Sequence, residues 1–425
     1  MKTLKLPGKN SLKVLTKLKK LNGDYFDPYP FVHSDKGQGC YFKDLDNNTF
    51  LDFSSQISSN PLGYNNPELK QVIKRYSNTH PIKYAGQDFA IEEHLKLLEE
   101  LISITPKNLN AAFLINSGAE AVENAIKICM RKNDKAKFGI SFQGSFHGRT
   151  LGALSLTNSK LLYKKNYFTI PNKILSYSNE AVNELEHVLR KNSSEEIAFV
   201  ILEPIQGEGG YNIASKEMIN GLRKITRENN IPLISDEVQS GMGRTGKWWA
   251  IDNFNITPDV MSAAKALQVA ATISNRNMFP EPGAISSTWG GGHKLDLTLG
   301  CKTIEIIKKK KLLNNVNNQG KYLRKRLQEL NLDKISNVRG LGLMNAFDLP
   351  NEQLRNNLVI ECLKNGLVLL GCGYKGIRLI PPYIVKEKEI DEACEIIKKS
   401  YYKVVKEGFK HSGEICNYLS CISHT

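Results

Sequence analysis

The sequence predicts an α/β protein: a large domain on a mostly parallel central sheet with helices on both faces, followed by a smaller α+β unit. Three observations carry this. From about residue 66 to 300, short apolar runs alternate with longer stretches of helical periodicity, the pattern of repeated strand–helix crossovers. The chemically distinctive residues Ser117, Phe146, Glu203, Asp236 and Lys265 fall where such runs end, and open α/β sheets bind ligands beyond the carboxyl ends of their strands. The length of 425 residues exceeds one ordinary domain, so one or two smaller units are expected beside the large one.

In chain order, residues 10–21 set Leu12, Val14, Leu15, Leu18 and Leu21 at helical spacing with lysines between them. This could mimic a transit peptide or a membrane-surface helix; an arm helix packed on the rest of the protein is the reading adopted. Residues 37–51 read as a hairpin, with Cys40-Tyr41-Phe42 and Thr49-Phe50-Leu51 flanking a turn at 44–48. The strands of the large domain are expected at 112–115, 138–142, 199–202, 232–235 and 260–262. A long connecting helix is expected over 300–321. Beyond it, strands are expected at 340–344 and 377–380, and helices at about 351–365 and 386–406. There are no internal repeats.

Composition narrows the function classes. Hydrophobic residues at 41% and charged residues at 24% are ordinary for a soluble globular enzyme. No apolar run approaches the length needed to cross a bilayer. The N-terminus lacks the apolar core and small-residue cleavage site of a secretory signal, so a cytoplasmic protein is expected. The net charge of +15 suggests nucleic acid, but the lysines are spread along the chain and not interleaved with aromatics in one stripe. No nucleic-acid or membrane partner is therefore expected. The eight cysteines form no CxxC pair and read as reduced thiols. The tail residues His411, Cys416, Cys421 and His424 fit no common zinc spacing, and no metal is expected.

Five segments carry chemistry. Asn116-Ser117-Gly118-Ala119-Glu120 follows a strand and opens a helix; Ser117 and Glu120 have capping-box spacing, and the free first-turn N–H groups can bind a phosphate. Ser145-Phe146-His147-Gly148-Arg149-Thr150 brings an aromatic ring, an imidazole and a guanidinium into one loop, where Arg149 can grip a carboxylate bidentately. Glu203-Pro204-Ile205-Gln206-Gly207-Glu208-Gly209-Gly210 reads as a shaped loop at a site. Finally, Lys265 follows a buried strand run and Asp236 ends another. A buried ammonium is costly and escapes through a lowered pKa or a covalent bond. A strand-end lysine and a strand-end aspartate are what an enzyme needs to hold pyridoxal phosphate, the lysine by an imine and the aspartate by keeping the ring nitrogen protonated.

Together these segments resemble the class III, fold-type-I aminotransferases that use pyridoxal 5'-phosphate. The resemblance runs from about residue 29 to 399 and includes Gly63-Tyr64-Asn65-Asn66-Pro67, Asp236-Glu237-Val238-Gln239-Ser240-Gly241, Gly243-Arg244-Thr245-Gly246 and Ser287-Thr288-Trp289-Gly290-Gly291. It implies an N-terminal arm and part of the small domain over 1–65, a large cofactor-binding domain with its connecting helix over 66–321, and a C-terminal small domain with a short tail over 322–425. It also assigns roles. Lys265 is the Schiff-base lysine and proton shuttle, Asp236 the partner of the ring nitrogen and Gln239 that of the ring hydroxyl. Val238 and Phe146 sandwich the ring. Ser117, Gly118 and Ala119 bind the phosphate, with Thr288 from the other subunit of a homodimer whose sites lie at the interface. His147 and Glu203 join the cofactor-binding set. Arg149 binds a distal carboxylate and Arg378 an α-carboxylate. Glu208 pairs with Arg378 while the amino donor is bound and swings away for the oxo acid.

The implied reaction moves an ω-amino group to 2-oxoglutarate in two half-reactions. Gln268-Val269 after Lys265 looks like the lysine ε-aminotransferase branch, whereas Ile57 falls where 4-aminobutyrate enzymes have isoleucine and ornithine enzymes tyrosine. The donor thus stays open among 4-aminobutyrate, lysine, ornithine and acetylornithine. A racemase on the same scaffold and a non-enzymatic binding protein are the competing readings.

Overall fold

The computed structural model describes residues 3–23, 28–78, 83–285, 289, 291–408 and 414–415. The chain forms two compact units, one of residues 67–313 and one joining 1–66 to 314–425.

The larger unit is built on a seven-stranded sheet. Its strands are β1 (Ala111–Ile115), β2 (Phe138–Phe142), β3 (Asn172–Leu175), β4 (Ile197–Leu202), β5 (Leu233–Asp236), β6 (Val260–Ala263) and β7 (Ala270–Ser274). The spatial order is β1-β7-β6-β5-β4-β2-β3. The neighbours from β3 through β6 pair in parallel, and β7 runs antiparallel to both β6 and β1. The mostly parallel sheet expected from the alternating runs is therefore present.

Helices cover both faces, as the strand sequences require. β4 is buried at every position. Its Val200 and Leu202 join a core with Met218, Ile219 and Leu222 of helix Lys216–Glu228 and Leu97 of helix Glu92–Ile102. The intervening Phe199 and Ile201 of β4 join a second core with Val122, Ile126 and Cys129 of helix Gly118–Arg131. Alternate side chains of one apolar strand thus serve two faces.

β3 and β7 were not among the expected strands. β3 is an edge strand with one buried residue, and so shows little apolar pattern. β7 is small-residue rich and fully buried. The expected connecting helix is two helices, Lys294–Lys309 and Leu312–Glu329. They are separated at Lys310-Lys311, where Lys311 adopts φ 50°.

The smaller unit contains two four-stranded sheets. In one, strands Tyr41–Asp44 and Thr49–Asp52 form the expected hairpin, with Phe42 opposite Phe50. Asp44 holds its turn by accepting from the N–H groups of Asp46 and Asn48 at 2.9 and 2.8 Å. In the other sheet, the single strand expected over 340–344 is a hairpin of Ser336–Leu341 and Met344–Asp348. Leu341 pairs with Met344, leaving a two-residue turn that needs a positive φ at its first position, and Gly342 supplies 53°. The other expected elements appear as strand Gly376–Leu379 and helices Glu352–Lys364 and Glu387–Lys406. Residues 10–21 fall in helix Lys9–Leu21, whose first turn is capped by the Asp46 carboxylate through the N–H groups of Asn10 and Ser11. His411, Cys416, Cys421 and His424 lie outside the described residues.

Candidate active site

A cavity of about 410 Å³ opens at the carboxyl ends of the large sheet's strands. Gly118, Ala119, Phe146, His147, Arg149, Glu203, Glu208, Asp236, Val238, Gln239 and Lys265 all line it. Residues far apart in sequence are brought together because each follows a strand of one sheet.

Asp236 is the last residue of β5 and is 4% exposed. Its Oδ1 accepts from the Val238 N–H and the Ser262 hydroxyl, both at 3.0 Å. Its Oδ2 accepts from His147 Nδ1 at 2.8 Å. The imidazole is fully enclosed, and its Nε2 has no hydrogen-bond partner among the described residues. The loop carrying His147 is pinned in turn by the His147 N–H bond to Thr157 Oγ1 at 2.9 Å. Ser262 and Thr157 were not picked out in the sequence, since a serine inside a strand and a threonine after a helix carry no distinctive spacing.

Lys265 follows β6 and adopts φ 50°, an unfavourable conformation for a residue with a side chain. A short helical turn, Lys265–Leu267, holds it there, and the Gln268 N–H donates to the Lys265 carbonyl at 2.9 Å. Gln239 accepts from the Tyr211 hydroxyl at 2.9 Å.

Ser117 caps helix Gly118–Arg131 by accepting from the Glu120 N–H at 3.3 Å. It stands between Asn116 and Gly118, both of which line the cavity. Gly118 packs tightly: a Cβ there would lie 2.8 Å from Val238 Cγ1. The bare backbone at this helix start is suited to a phosphate.

Glu203 directly follows β4 and is 7% exposed. It accepts from the Gly207 and Phe146 N–H groups at 3.1 and 3.2 Å, which ties two loops of the cavity together. Burial, and then the charge of Asp236, push its carboxyl well above the ordinary carboxylate range. Glu208 accepts from the Tyr163 hydroxyl at 2.6 Å and lies 3.8 Å from Lys160 Nζ.

Three predicted positions are not among the described residues of this unit. Thr288 lies outside the described residues. Ile57 and Arg378 belong to the other unit. Ile57 is 44% exposed in a left-handed turn, Ser55–Ser58, with φ 57°. Arg378 sits on strand Gly376–Leu379 and is 9% exposed.

The family model described as Aminotransferase class-III matches residues 26–400. The chain belongs to the class III aminotransferases. Among curated relatives of this aminotransferase, the acetylornithine aminotransferase of Archaeoglobus fulgidus is 34% identical over 371 residues, covering 85% of this chain and 94% of the relative. The mitochondrial 4-aminobutyrate aminotransferase of Rattus norvegicus is 32% identical over 440 residues, covering 91% and 87%. Among solved structures, a lysine aminotransferase from M. tuberculosis in the internal aldimine form superposes with a TM-score of 0.86 at 27% identity, covering 92% of this chain and all of that one. The fold is that of fold-type-I enzymes, and the cofactor of a class III aminotransferase is pyridoxal phosphate. The cavity fits this group on its own terms: a buried carboxylate, a lysine and a bare helix N-terminus share one wall. No helix of the described residues is long and apolar enough to cross a membrane.

Proposed function

We propose that this aminotransferase moves the ω-amino group of 4-aminobutyrate, lysine or a related amino acid to 2-oxoglutarate. The observation that carries the reading is Arg149 lining the same cavity as Lys265. A guanidinium in the cavity that holds the reacting lysine suits a substrate that carries a carboxylate besides its amino group. Acetylornithine is the second reading, favoured by the 34% identity to an acetylornithine aminotransferase.

Bound pyridoxal phosphate supplies a carbonyl carbon for the amino group and a ring that draws electrons from the substrate carbon. In this reading Asp236 holds a proton on the ring nitrogen, and its donors from Val238, Ser262 and His147 keep the carboxylate aimed. Lys265 Nζ takes the proton from the substrate carbon and returns it. Ser117, Gly118 and Ala119 hold the phosphate, Phe146 and Val238 flank the ring, and Gln239 meets its hydroxyl. Glu203 orders the loop that carries Phe146. Arg149 orients the distal carboxylate. Glu208 lines the same cavity as Arg149, and substrate roles for Ile57 and Arg378 rest on the family resemblance alone. The working form is a homodimer, with Thr288 contributed by the partner subunit.

A donor panel tests this. With 2-oxoglutarate present, the wild type is expected to form glutamate from at least one of 4-aminobutyrate, lysine, ornithine and acetylornithine, with Lys265→Ala as the blank. No glutamate from any of them overturns the proposal. Racemised amino acid formed without added oxo acid would put the racemase in its place.

A further inference from the structure

Tyr163 belongs to no motif, yet it touches three residues of the cavity wall. It sits in the short helix Leu161–Lys164. The Arg149 guanidinium carbon stands 3.7 Å from the centre of its ring. The Phe146 ring meets it edge-on, with centres 6.3 Å apart and planes at 81°. Its hydroxyl donates to Glu208 Oε1 at 2.6 Å. Lys160 Nζ lies 3.8 Å from the same Glu208 oxygen.

The charges make this arrangement selective. Arg149 has no carboxylate within ion-pair distance among the described residues, although Glu208 lines the same cavity. Glu208 is instead occupied by Tyr163 and Lys160. An aromatic face attracts a guanidinium without neutralising it, so the cation is held in place and keeps its capacity for a carboxylate. A tyrosine can do both jobs because its ring and hydroxyl act at opposite ends of one stiff side chain.

We propose that Tyr163 is a positioning residue that keeps Arg149 available for the substrate's second carboxylate: the ring holds the guanidinium, and the hydroxyl holds Glu208 away from it. This rests on the reading of Arg149 as the carboxylate-binding group.

The test is calorimetric titration of the cofactor-loaded enzyme with glutarate, a dicarboxylate that carries no amino or oxo group to react. Tyr163→Phe keeps the ring and releases Glu208; Tyr163→Leu removes both supports; Arg149→Met removes the cation. Glutarate is expected to bind about 10-fold more weakly to Tyr163→Leu and about 3-fold more weakly to Tyr163→Phe. The loss in Tyr163→Phe is expected to vanish when Glu208→Gln is added, because the released carboxylate is its cause. Cofactor absorbance like that of the wild type establishes that Tyr163→Phe is folded, so the pair Tyr163→Phe and Tyr163→Phe with Glu208→Gln decides even if Tyr163→Leu does not fold. Wild-type affinity in the Tyr163 variants, with Arg149→Met impaired, overturns the role of Tyr163 alone. Wild-type affinity in Arg149→Met overturns the carboxylate reading and this inference with it.

Discussion

Asp236 shows how a single carboxylate is prepared for its task. Three donors converge on it from a turn, a neighbouring strand and a separate loop. Those bonds aim the carboxylate, so an amide should preserve the shape while losing the charge that holds a ring proton. Asp236→Asn is expected to keep the fold and lower kcat by about 100-fold or more, measured by steady-state turnover with circular dichroism as the fold check. Turnover within a few-fold of the wild type would remove Asp236 from the proposed role. At this scale the cavity positions of Lys265, Asp236 and Gln239 were legible because each stands in a recognisable run after an apolar strand. Tyr163 and Lys160 were not, because their segment has no unusual spacing and their partners are distant in sequence.

Among the elements, the start of helix Gly118–Arg131 is the most constrained. A Cβ on Gly118 would press on Val238, a residue with branched methyls and little room to turn. Gly118→Ala is therefore expected to weaken pyridoxal phosphate binding by about 10-fold through displaced packing, read as the cofactor dissociation constant. Unchanged affinity would show that the helix start and Val238 separate easily. The turn after β5 carries a second constraint. Buried Glu237 accepts from the Ala250 and Ile251 N–H groups at 3.0 and 2.8 Å and from the Ser240 hydroxyl at 2.7 Å. Burial outweighs these bonds and raises its pKa from 4.5 to about 7. With the folded value above the unfolded one, its contribution to stability is fully present below pH 4.5 and is lost as pH rises through about 7. Thermal unfolding of Glu237→Gln is expected to show a flatter dependence on pH across that window; an unchanged slope would exclude this group as its source. The elements that escaped sequence reading have local reasons. β3 is an edge strand with one buried side chain, β7 consists mainly of small residues, and the hairpin at Gly342 hides its turn inside an apolar run.

For the whole molecule, continuity of chain and compactness of structure differ. The unit of residues 67–313 is one continuous segment, whereas the other joins both ends of the chain. Leu51 and Leu367 are register partners in a parallel pair, and the Leu51 N–H donates to the Gly366 carbonyl at 2.8 Å. The proposed homodimer belongs to this scale too. Sedimentation at assay concentrations is expected to give twice the chain mass, and a fully active monomer would count against a site completed by a partner's Thr288. The amino-acid sequence by itself determined the family, the cofactor and the strand-end positions of the chemistry, because those signals lie in short runs that a strand and its following turn impose locally. Only the tertiary structure decided which neighbours hold the chemical groups in place. Ser262 and His147 reach Asp236 across 26 and 89 positions of chain, and Tyr163 reaches Glu208 across 45. Such pairings arise from sheet order and loop packing, and none has a local spacing to announce it.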